Sequence, residues 1–575
     1  MRCPLATATL RCSWNRTGVG IGILVLLLGL FAWPASVSAQ AVNTDDLLRQ
    51  AAEREKQHDW LEACHIYLEL LPRHREDARL RQAYQRCLRR YHIVQRHQDK
   101  LYRAALECLT PAQALEMYGH VVDTIGRVYA DRQKSSPAAL FAQGLEELNL
   151  AFEEPIFTRE YFAGISREKL DAFRKKLSEW QKRKIANRAE ARDQVAAVSR
   201  TVQQIGAETR PILFTVIVLE FLNGACNALD EYTYFLTPGP YRDVQGVLRG
   251  RLISIGVDLD IIGDELEIRR VYPRSPAYDA GLLPHDRIVR IDGQSTRELT
   301  IEKAAELLRG KSGTLVRLEI VRIDPMNPDV TFVDIKDVKR APVNVPSVEY
   351  EMLEKPLEFD VDGGMKVYFP IGRIIISYFQ ETTLQEVKDA LTALQDLGMK
   401  VLILDLRGNP GGLFKSAVEV AELFLPEGII VVSQTHLPFR DPLRDRKLNG
   451  TIRAEQPDAL LMPMVVLIDG ETASSAEVLA GALKDNNRAK LVGRTTFGKG
   501  SIQCIIKLGE RHFERMPAGI RITVAKLLSP NWQPYSGRGI EPNFRAFMVE
   551  GNAILIEARQ FLFQELQKSL QSMSQ

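Results

Sequence analysis

The sequence predicts a multidomain α+β fold, in which a helical N-terminal region precedes two units that contain sheets. First, 575 residues exceed what one hydrophobic core usually supports, since domains average roughly 150 residues. Second, the spacing of apolar residues changes from three or four in the N-terminal part to two in the middle. Third, two apolar runs near the C-terminal end each lead into a glycine-containing turn and a helical pattern, which is typical of an α/β core.

The composition indicates an ordinary globular protein. With 45% hydrophobic and 26% charged residues, it excludes a wholly disordered, collagen-like or polytopic membrane chain. The 75 Lys and Arg residues nearly balance the 73 Asp and Glu residues, so charge gives no reason to expect a nucleic-acid partner. We therefore expect no nucleic acid to bind.

Residues 1–39 have the pattern of a signal peptide. Three arginines precede an apolar run from Val19 to Trp33, and small residues then lead to Ala39, after which cleavage is expected. The run is shorter than the roughly twenty residues that span a bilayer, which favours cleavage over an uncleaved anchor. Either outcome predicts an exported protein of the periplasm or cell envelope.

Five cysteines remain beyond this segment, and none forms a CxxC pair. They are Cys64, Cys87, Cys108, Cys226 and Cys504. An odd number leaves at least one free thiol or an intermolecular bridge, and the spacing predicts no particular disulfide.

In residues 40–240 the apolar residues recur at a spacing of three and four, which predicts a helical region. This region contains no catalytic motif. An apolar stretch from Pro211 to Leu219, followed by Glu220, predicts a buried helix. One segment resembles the first helix of a tetratricopeptide unit and hints at an adaptor role through partner binding, although no second copy follows. Its residues are Trp60, Ala63, Tyr67 and Leu71, followed by Pro72.

Most of the histidines lie in this helical region, which raises the alternative of metal ligation. They are His58, His65, His74, His92, His97 and His120. No pair has the His-x3-His spacing and no carboxylate cluster flanks them, so we expect solvated helix faces and no metal site. The same expectation applies to the arginine-rich stretch from Arg86 to Arg103.

Residues 245–341 predict alternating strands and one helix that begins near Thr300 and ends before Gly310. The motifs of this block resemble a PDZ domain of the circularly arranged kind found in exported proteases. They are Ser275-Pro-Ala277, Ala280-Gly-Leu282, Asp286-Arg-Ile288 and Ile291-Asp-Gly293.

In PDZ domains a peptide C-terminus adds as an edge strand, and a short loop binds its carboxylate. The resemblance places that loop at Ser254, Ile255, Gly256 and Val257. The glycine permits the turn that would aim consecutive amides at one anion. The alternative is a glycine-containing strand entry with no ligand.

Residues 345–547 contain three segments that stand out as chemistry-bearing. They are Val401 to Gly412, Val465 to Glu477 and Thr495 to Gln503. The first two predict strand, turn and helix, with helices from Phe414 to Leu425 and from Ser475 to Leu483. Such turns present side chains and helix N-terminal amides at the end of a buried sheet.

A serine with a lysine base is the arrangement that these segments favour. A Ser-His-Asp arrangement needs a histidine base, and this block contains only His436 and His512. The GxSxG motif of another class of hydrolases does not occur in the chain. A lysine base must be neutral, and lowering its pKa from about 10.4 to about 7 requires roughly 4 to 5 kcal/mol, which burial can impose. Lys499, between two glycines, is the candidate.

The three segments and their order resemble the C-terminal processing peptidases, also called tail-specific proteases. The resemblance covers about Leu229 to Pro542 and implies a ClpP/crotonase-like core with a Ser-Lys-Gln site. It assigns the nucleophile to Ser474, the base to Lys499 and the orienting amide to Gln503. It also assigns the oxyanion hole to the Ser475 amide and to one from Gly411 or Gly412.

Two departures from the family pattern occur, and neither removes a group that the site needs. Asp469-Gly-Glu-Thr472 replaces an Asn-Glu-Gly-Ser type of approach, and Ser475 stands where alanine is usual. A different interpretation of Ser474 and Glu477 is a helix capping box, in which the hydroxyl bonds an amide. In an ideal strand Lys499 and Gln503 would lie about 13 Å apart, so the chain must bend near Gly500.

The predicted function is an exported serine endopeptidase that binds protein or peptide substrates with apolar, free C-termini. Its mechanism requires no cofactor and no metal. The alternative is a catalytically inactive PDZ adaptor that binds C-terminal tails. Residues 548–575 predict a helix that packs on the body or against another subunit, as in a homodimer.

Overall fold

We analysed a computed structural model of the chain. It describes residues 44–71, 74, 77–205, 213–263, 265–297, 299, 301–324, 327–361, 365–435, 450–508, 516–546 and 553–573. The predicted signal peptide, His436 and His512 lie outside these ranges. In the described part of the chain, no helix has both the length and the apolar character needed to cross a membrane.

The N-terminal region is helical, as predicted. Its helices are α1 (Thr44–Lys56), α2 (Trp60–Leu70), α3 (Ala78–Gln98), α4 (Lys100–Cys108), α5 (Pro111–Val128), α6 (Pro137–Ala151), α7 (Pro155–Tyr161), α8 (Arg167–Gln181), α9 (Arg188–Ile205) and α10 (Leu213–Asn227). Local signals set their starts: Thr110 and Gln113 form a capping box before α5, which has proline in its first turn. The predicted buried helix is α10, whose residues 216–219 are fully buried.

A buried ion cluster joins three of these helices and corrects one expectation. Arg96 and His97, predicted to lie on a solvated face, are 3% and 0% exposed. Arg96 pairs with Glu147 and Glu220, and His97 Nε2 lies 3.1 Å from Glu220 Oε1. Glu220 on α10 therefore interrupts an apolar run because it neutralises a buried arginine.

The cysteines of the described chain are free thiols. Cys64 and Cys87 belong to the small core of α1, α2 and α3. Burial raises the pKa of both thiols, which favours their neutral form.

The middle of the chain forms the PDZ domain around a separate core. Helix α11 (Pro238–Leu248) leads into strands β2 (Arg251–Ser254), β3 (Val257–Ile262), β4 (Glu265–Val271), β5 (Arg287–Ile291), β6 (Gln294–Ser295), β7 (Leu315–Asp324), β8 (Asn327–Lys339) and β9 (Ala341–Asn344), with helices α12 (Pro276–Asp279) and α13 (Ile301–Leu308). The sheet order is β3-β4-β5-β7-β8, so β3 lies at an edge. Helix α13 contacts β3.

The C-terminal core contains a sheet of order β10-β13-β14-β17-β18-β21. Its strands are β10 (Val348–Met352), β13 (Ile371–Ile376), β14 (Val401–Asp405), β17 (Met464–Ile468), β18 (Lys490–Gly493) and β21 (Phe544–Arg545), and β11 (Leu357–Val361) pairs with β12 (Met365–Phe369) in a separate hairpin. Strands β13, β14, β17 and β18 are mutually parallel. Helices α14 (Thr383–Asp396), α15 (Phe414–Glu422) and α16 (Ser475–Asp485) connect them.

A second, antiparallel sheet links the N-terminal region to the core. It contains β1 (Tyr234–Leu236), β15 (Glu427–Thr435), β16 (Gly450–Glu455), β19 (Ser501–Leu508) and β20 (Ala518–Leu528). Strand β1 follows the last N-terminal helix and pairs with β20. One buried apolar cluster includes residues of both the N-terminal helices and the core, so the two regions share a hydrophobic interior.

The C-terminal tail packs on the core, which is one of the two predicted placements. Helix α17 (Ala553–Met573) buries Ile554 and Leu562 against β11, β14 and β17 residues. Phe563 stacks on Phe359 with ring centroids 4.5 Å apart. This contact covers the face of the parallel sheet opposite the helices α14 to α16.

Candidate active site

The candidate site lies where two parallel strands end side by side. Strands β14 and β17 pair in register from Leu402 with Met464 to Asp405 with Leu467. The turns that follow therefore meet at one edge of the sheet, because the carboxyl ends of parallel strands lie together. The first turn, Leu406–Leu413, leads into α15, and the second, Asp469–Ser474, leads into α16.

Ser474 occupies a strained position between the second turn and α16. Its backbone has φ +55° and ψ −117°, a conformation that side-chain-bearing residues rarely adopt. A sharp turn from strand to helix exposes a nucleophile in this way in hydrolases with the GxSxG motif. Here the same kind of strain occurs without that motif, and Ser474 is half-buried.

The buried carboxylate of Glu477 joins Ser474 to the loop of Lys499. One of its oxygens, Oε2, accepts the backbone N–H groups of Ser474 and of Lys499, each at 2.8 Å. The other, Oε1, accepts the Gly498 N–H at 2.7 Å and the Thr496 hydroxyl at 2.6 Å. The Ser474 and Glu477 spacing is therefore a capping contact that also binds the lysine loop.

Lys499 is almost fully buried, with 3% exposure. Burial lowers the pKa of its amine well below the usual range, and the positive charge of Arg521 lowers it further. Nearby carboxylates, including Glu477, oppose this effect. The balance favours the neutral amine that a lysine base requires.

Gln503 lies on β19, close to the end of the lysine loop. Its side-chain nitrogen donates to Ser501 Oγ at 2.8 Å and to Thr523 Oγ1 at 3.2 Å. The pairing of β19 with β20 is irregular between Ile502 and Gln503, two residues beyond the bend expected near Gly500. The orienting role of Gln503 stays a prediction.

The two glycines of the first turn differ in what their N–H groups do. Gly411 N donates to Asn409 Oδ1 at 2.8 Å, so this amide is engaged within the turn. Gly411 O accepts the Phe379 N–H at 2.9 Å, and the next N–H, of Gly412, points the opposite way along the trans peptide. A Cβ on Gly411 would lie 2.8 Å from Ser474 Cβ, so the turn passes directly beside the serine.

Ser475 contributes more than the backbone amide assigned to it. Its hydroxyl donates to Gly412 O at 3.0 Å, which joins the start of α16 to the first turn. Its N–H lies in the first turn of α16, where amides have no intrahelical acceptor. The amides of Ser475 and Gly412 therefore fit a pair of oxyanion donors beside Ser474.

The candidate PDZ loop turns at a glycine in the left-handed region. Gly256 has φ +88°, and a Cβ there would lie 2.3 Å from Ser275 Cβ. The carbonyl of Ile255 accepts the Ala277 N–H at 2.8 Å, and that of Gly256 accepts the Tyr272 N–H at 3.0 Å. Because these carbonyls are bound on one side, the peptide units of the loop are fixed in orientation.

Sequence reasoning missed the two aspartates that hold the turns. Asp405 ends β14, is fully buried and pairs with Arg373 and Arg407. Asp469 accepts the Gly408 N–H of the first turn and the Thr472 N–H of its own. The sequence signal for such residues is an aspartate at the end of an apolar strand or directly after it. A charged residue in such a place is rarely buried without a partner, so it points to an ion pair or to hydrogen bonds.

Sequence reasoning also missed Tyr232, which lies between α10 and β1. The Lys499 amine is 4.6 Å from the centroid of its ring. Nothing in the local sequence pairs these residues, and the contact depends on the strand pairing of β1 with β20.

Metal ligation has no candidate in the described residues. No group of three or more His, Cys, Asp and Glu side chains within them could hold a metal ion. The groups that the described site offers for chemistry are the buried Lys499 amine, the strained Ser474 and backbone N–H donors.

Comparison with known proteins places these features in a family. Residues 370–546 match the model of peptidase family S41, and residues 267–322 match that of the PDZ domain. The photosystem II D1 C-terminal processing protease, a solved structure, aligns with 78% of this chain and 97% of its own, with 22% identity and a TM-score of 0.39.

Curated relatives align over the PDZ domain and the core. The carboxyl-terminal-processing protease of Synechocystis sp. is 36% identical over 318 residues, which are 55% of this chain and 67% of that protein. The carboxy-terminal processing protease CtpA of Bacillus subtilis is 30% identical over 326 residues, 56% of this chain and 63% of the relative. The chain belongs to the carboxyl-terminal-processing proteases of peptidase family S41, which are serine-type peptidases, and it carries their PDZ domain.

Proposed function

We propose that this protein is an exported serine endopeptidase that binds C-terminal tails through its PDZ domain and cleaves peptide bonds with Ser474 and Lys499. The observation that carries the proposal is the Glu477 carboxylate. A single oxygen of this group binds the backbone N–H groups of both residues, so the backbones that carry the proposed nucleophile and base are held next to each other.

The chemistry begins with proton transfer from the Ser474 hydroxyl to the neutral amine of Lys499. The serine oxygen attacks the peptide carbonyl, and the tetrahedral oxyanion accepts the N–H groups of Ser475 and Gly412. We favour Gly412 over Gly411 because the Gly411 amide is bound to Asn409. Lys499 then protonates the leaving amine, and water releases the acyl-enzyme.

Substrate capture takes place at the PDZ domain. An apolar, free C-terminus adds along β3, and the amides of the loop at Gly256 bind its carboxylate. The loop conformation and the edge position of β3 support this step. Export follows from the signal-peptide pattern of residues 1–39, and the mature chain would begin at Gln40.

The test is cleavage of an unstructured protein that ends in apolar residues. Ser474→Ala should remove cleavage, whereas the wild-type protein cuts. Ser166→Ala is the matched control, since Ser166 also lies near a lysine, in the pattern Ser166-x-x-Lys169, but caps α8 through the Lys169 N–H. Cleavage by the Ser474 variant at the wild-type rate would contradict the assignment.

A second arm of the same experiment examines tail recognition. The substrate is compared with one that is identical except for an amidated C-terminus. Loss of the terminal charge should raise KM by about tenfold or more with kcat unchanged, because only binding uses the carboxylate. Equal KM values would show that the PDZ domain does not select free C-termini.

A further inference from the structure

The Lys499 amine lies against the face of an aromatic ring that comes from outside the core. Tyr232 is in the turn between α10 and β1, and the amine is 4.6 Å from its ring centroid. This separation is within the range in which an ammonium group is attracted by an aromatic face. The attraction is strong where water is excluded, and Lys499 is 3% exposed.

Contacts on two sides fix the position of the ring. The Tyr232 N–H donates to Asp230 Oδ1 at 3.0 Å, and Asp230 Oδ2 accepts the Tyr129 hydroxyl at 3.1 Å. Tyr129 follows helix α5 of the N-terminal region. On the other side, the Thr523 N–H of β20 donates to Thr233 Oγ1 at 3.2 Å. Contacts from both the N-terminal region and the core sheet therefore hold in place the segment that carries the ring.

The charged groups that face the amine come from three elements. Arg521 on β20 lowers the amine's pKa, whereas Glu477 on α16 and the acids Asp230 and Glu231 of the turn raise it. Burial and the adjacent Glu231 raise the pKa of the Tyr232 phenol well above its usual range. The phenol is therefore neutral, and it interacts with the amine through its ring face.

We propose that Tyr232 is a positioning residue for the reaction: its ring face holds and stabilises the ammonium group that forms on Lys499 as Ser474 attacks. The inference rests on the proposed function of these two residues. When the proton moves from Ser474 Oγ to Lys499 Nζ, the site gains a buried positive charge. The ring attracts that charge and not the neutral amine, so it favours the transition state over the ground state.

Two substitutions separate the ring face from the volume that it fills. Tyr232→Phe keeps the face and removes the hydroxyl, whereas Tyr232→Leu removes the face and keeps the site dry. We expect Tyr232→Phe to retain activity within about twofold and Tyr232→Leu to lower kcat by about tenfold to thirtyfold. KM should change little, because the ring acts on a charge that forms only as the reaction proceeds.

The pH dependence distinguishes this role from a packing role. Removing a group that stabilises the ammonium lowers the pKa of Lys499, so the pH–rate curve of Tyr232→Leu should shift to lower pH by about one unit. Tyr232→Phe should keep the wild-type curve. Equal midpoints for the Phe and Leu variants would overturn the proposal, as would equal kcat values. Tyr232→Met provides the same comparison if the Leu variant does not fold.

A measurement without turnover keeps this proposal separate from the proposed function. In Ser474→Ala protein labelled with ¹³C at lysine Cε, the Lys499 signal is assigned with Lys499→Arg and titrated with and without Tyr232→Leu. A downward shift of the titration midpoint supports the ring contact whether or not Ser474 is the nucleophile. An unchanged midpoint would overturn the contact even if Ser474→Ala abolishes cleavage.

Discussion

The two turns at the edge of the parallel sheet are built alike but contribute different groups. Each follows a buried strand, each is held by an aspartate, and each leads into a helix. Asp405 binds guanidinium groups, and its turn contributes backbone amides near Gly412. Asp469 binds backbone N–H groups, and its turn presents the Ser474 side chain. Side-chain chemistry is thus concentrated in the second turn, whereas the first acts through its main-chain shape.

The largest expected effect comes from the base that serves the second turn. Lys499→Met should lower kcat by about 10³-fold or more at every pH, because no other lysine of the described residues is buried and could replace the base. The wild-type rate should instead rise with pH as Lys499 loses its proton. Activity assays from pH 6 to pH 10 measure both profiles, and a Met variant with near wild-type activity would contradict the mechanism.

The same variant should be more stable than the wild type at neutral pH. Because folding lowers the pKa of Lys499, the unfolded chain binds more protons, and wild-type stability rises with pH up to the unfolded pKa. The stability advantage of Lys499→Met should therefore grow as pH falls from about 10 and level off below the folded pKa. Urea unfolding at several pH values tests this, and a constant gap would show that the amine is not buried in neutral form.

Glu477→Gln addresses how the second turn is joined to the lysine loop. Both carboxylate oxygens accept N–H or O–H groups. The NH₂ group of a glutamine in the place of either oxygen would therefore meet another hydrogen-bond donor. We expect a loss of about 10²-fold in kcat and about 2 to 4 kcal/mol in the free energy of unfolding. Glu419→Gln, which loses a surface ion pair with Lys415, is the control. Equal effects of the two changes would contradict the bridging role.

Asn409→Ala tests whether the first turn acts through its shape. The buried Asn409 side chain binds the Gly411 N–H and donates to the Ile376 carbonyl at 2.8 Å each. Its loss leaves both groups unpaired, and we expect about 1 to 3 kcal/mol lower stability. Displacement of the Gly412 amide should lower kcat by about tenfold with KM unchanged. Steady-state kinetics with the unstructured substrate measures the two constants, and an altered KM alone would argue against an oxyanion role.

Ser475→Ala should have the smallest effect of the series. It removes one hydrogen bond, to the Gly412 carbonyl, and keeps the backbone amide that the oxyanion needs. We expect kcat to fall by no more than about fivefold, equivalent to the roughly 1 kcal/mol of one hydrogen bond. A loss as large as that of Asn409→Ala would mean that the hydroxyl, and not the first turn itself, fixes the Gly412 peptide.

The elements of the core could be predicted because their signals are local. The apolar runs that became β14 and β17 are short, are followed by glycine or a polar turn, and precede helices with regular apolar spacing. The same locality explains the PDZ helix α13, which begins and ends within a residue or two of its predicted bounds. The fold class and the family followed from these segments and their order.

Contacts between distant segments could not be predicted. The sequence gives no reason for Arg96 to face inward, because its partners Glu147 and Glu220 lie on other helices. The ring of Tyr232 reaches Lys499 only through the pairing of β1 with β20. The choice between Gly411 and Gly412 likewise depends on the Asn409 side chain folding back on its own turn.

The four donors that meet on Glu477 come from two separate segments, the start of α16 and the loop from Thr496 to Lys499. Until that loop docks, the carboxylate lacks three of its four donors, and the Lys499 backbone is not held beside that of Ser474. Formation of the proposed site is therefore coupled to folding of the core, and we expect a chain in which this loop has come away not to cleave.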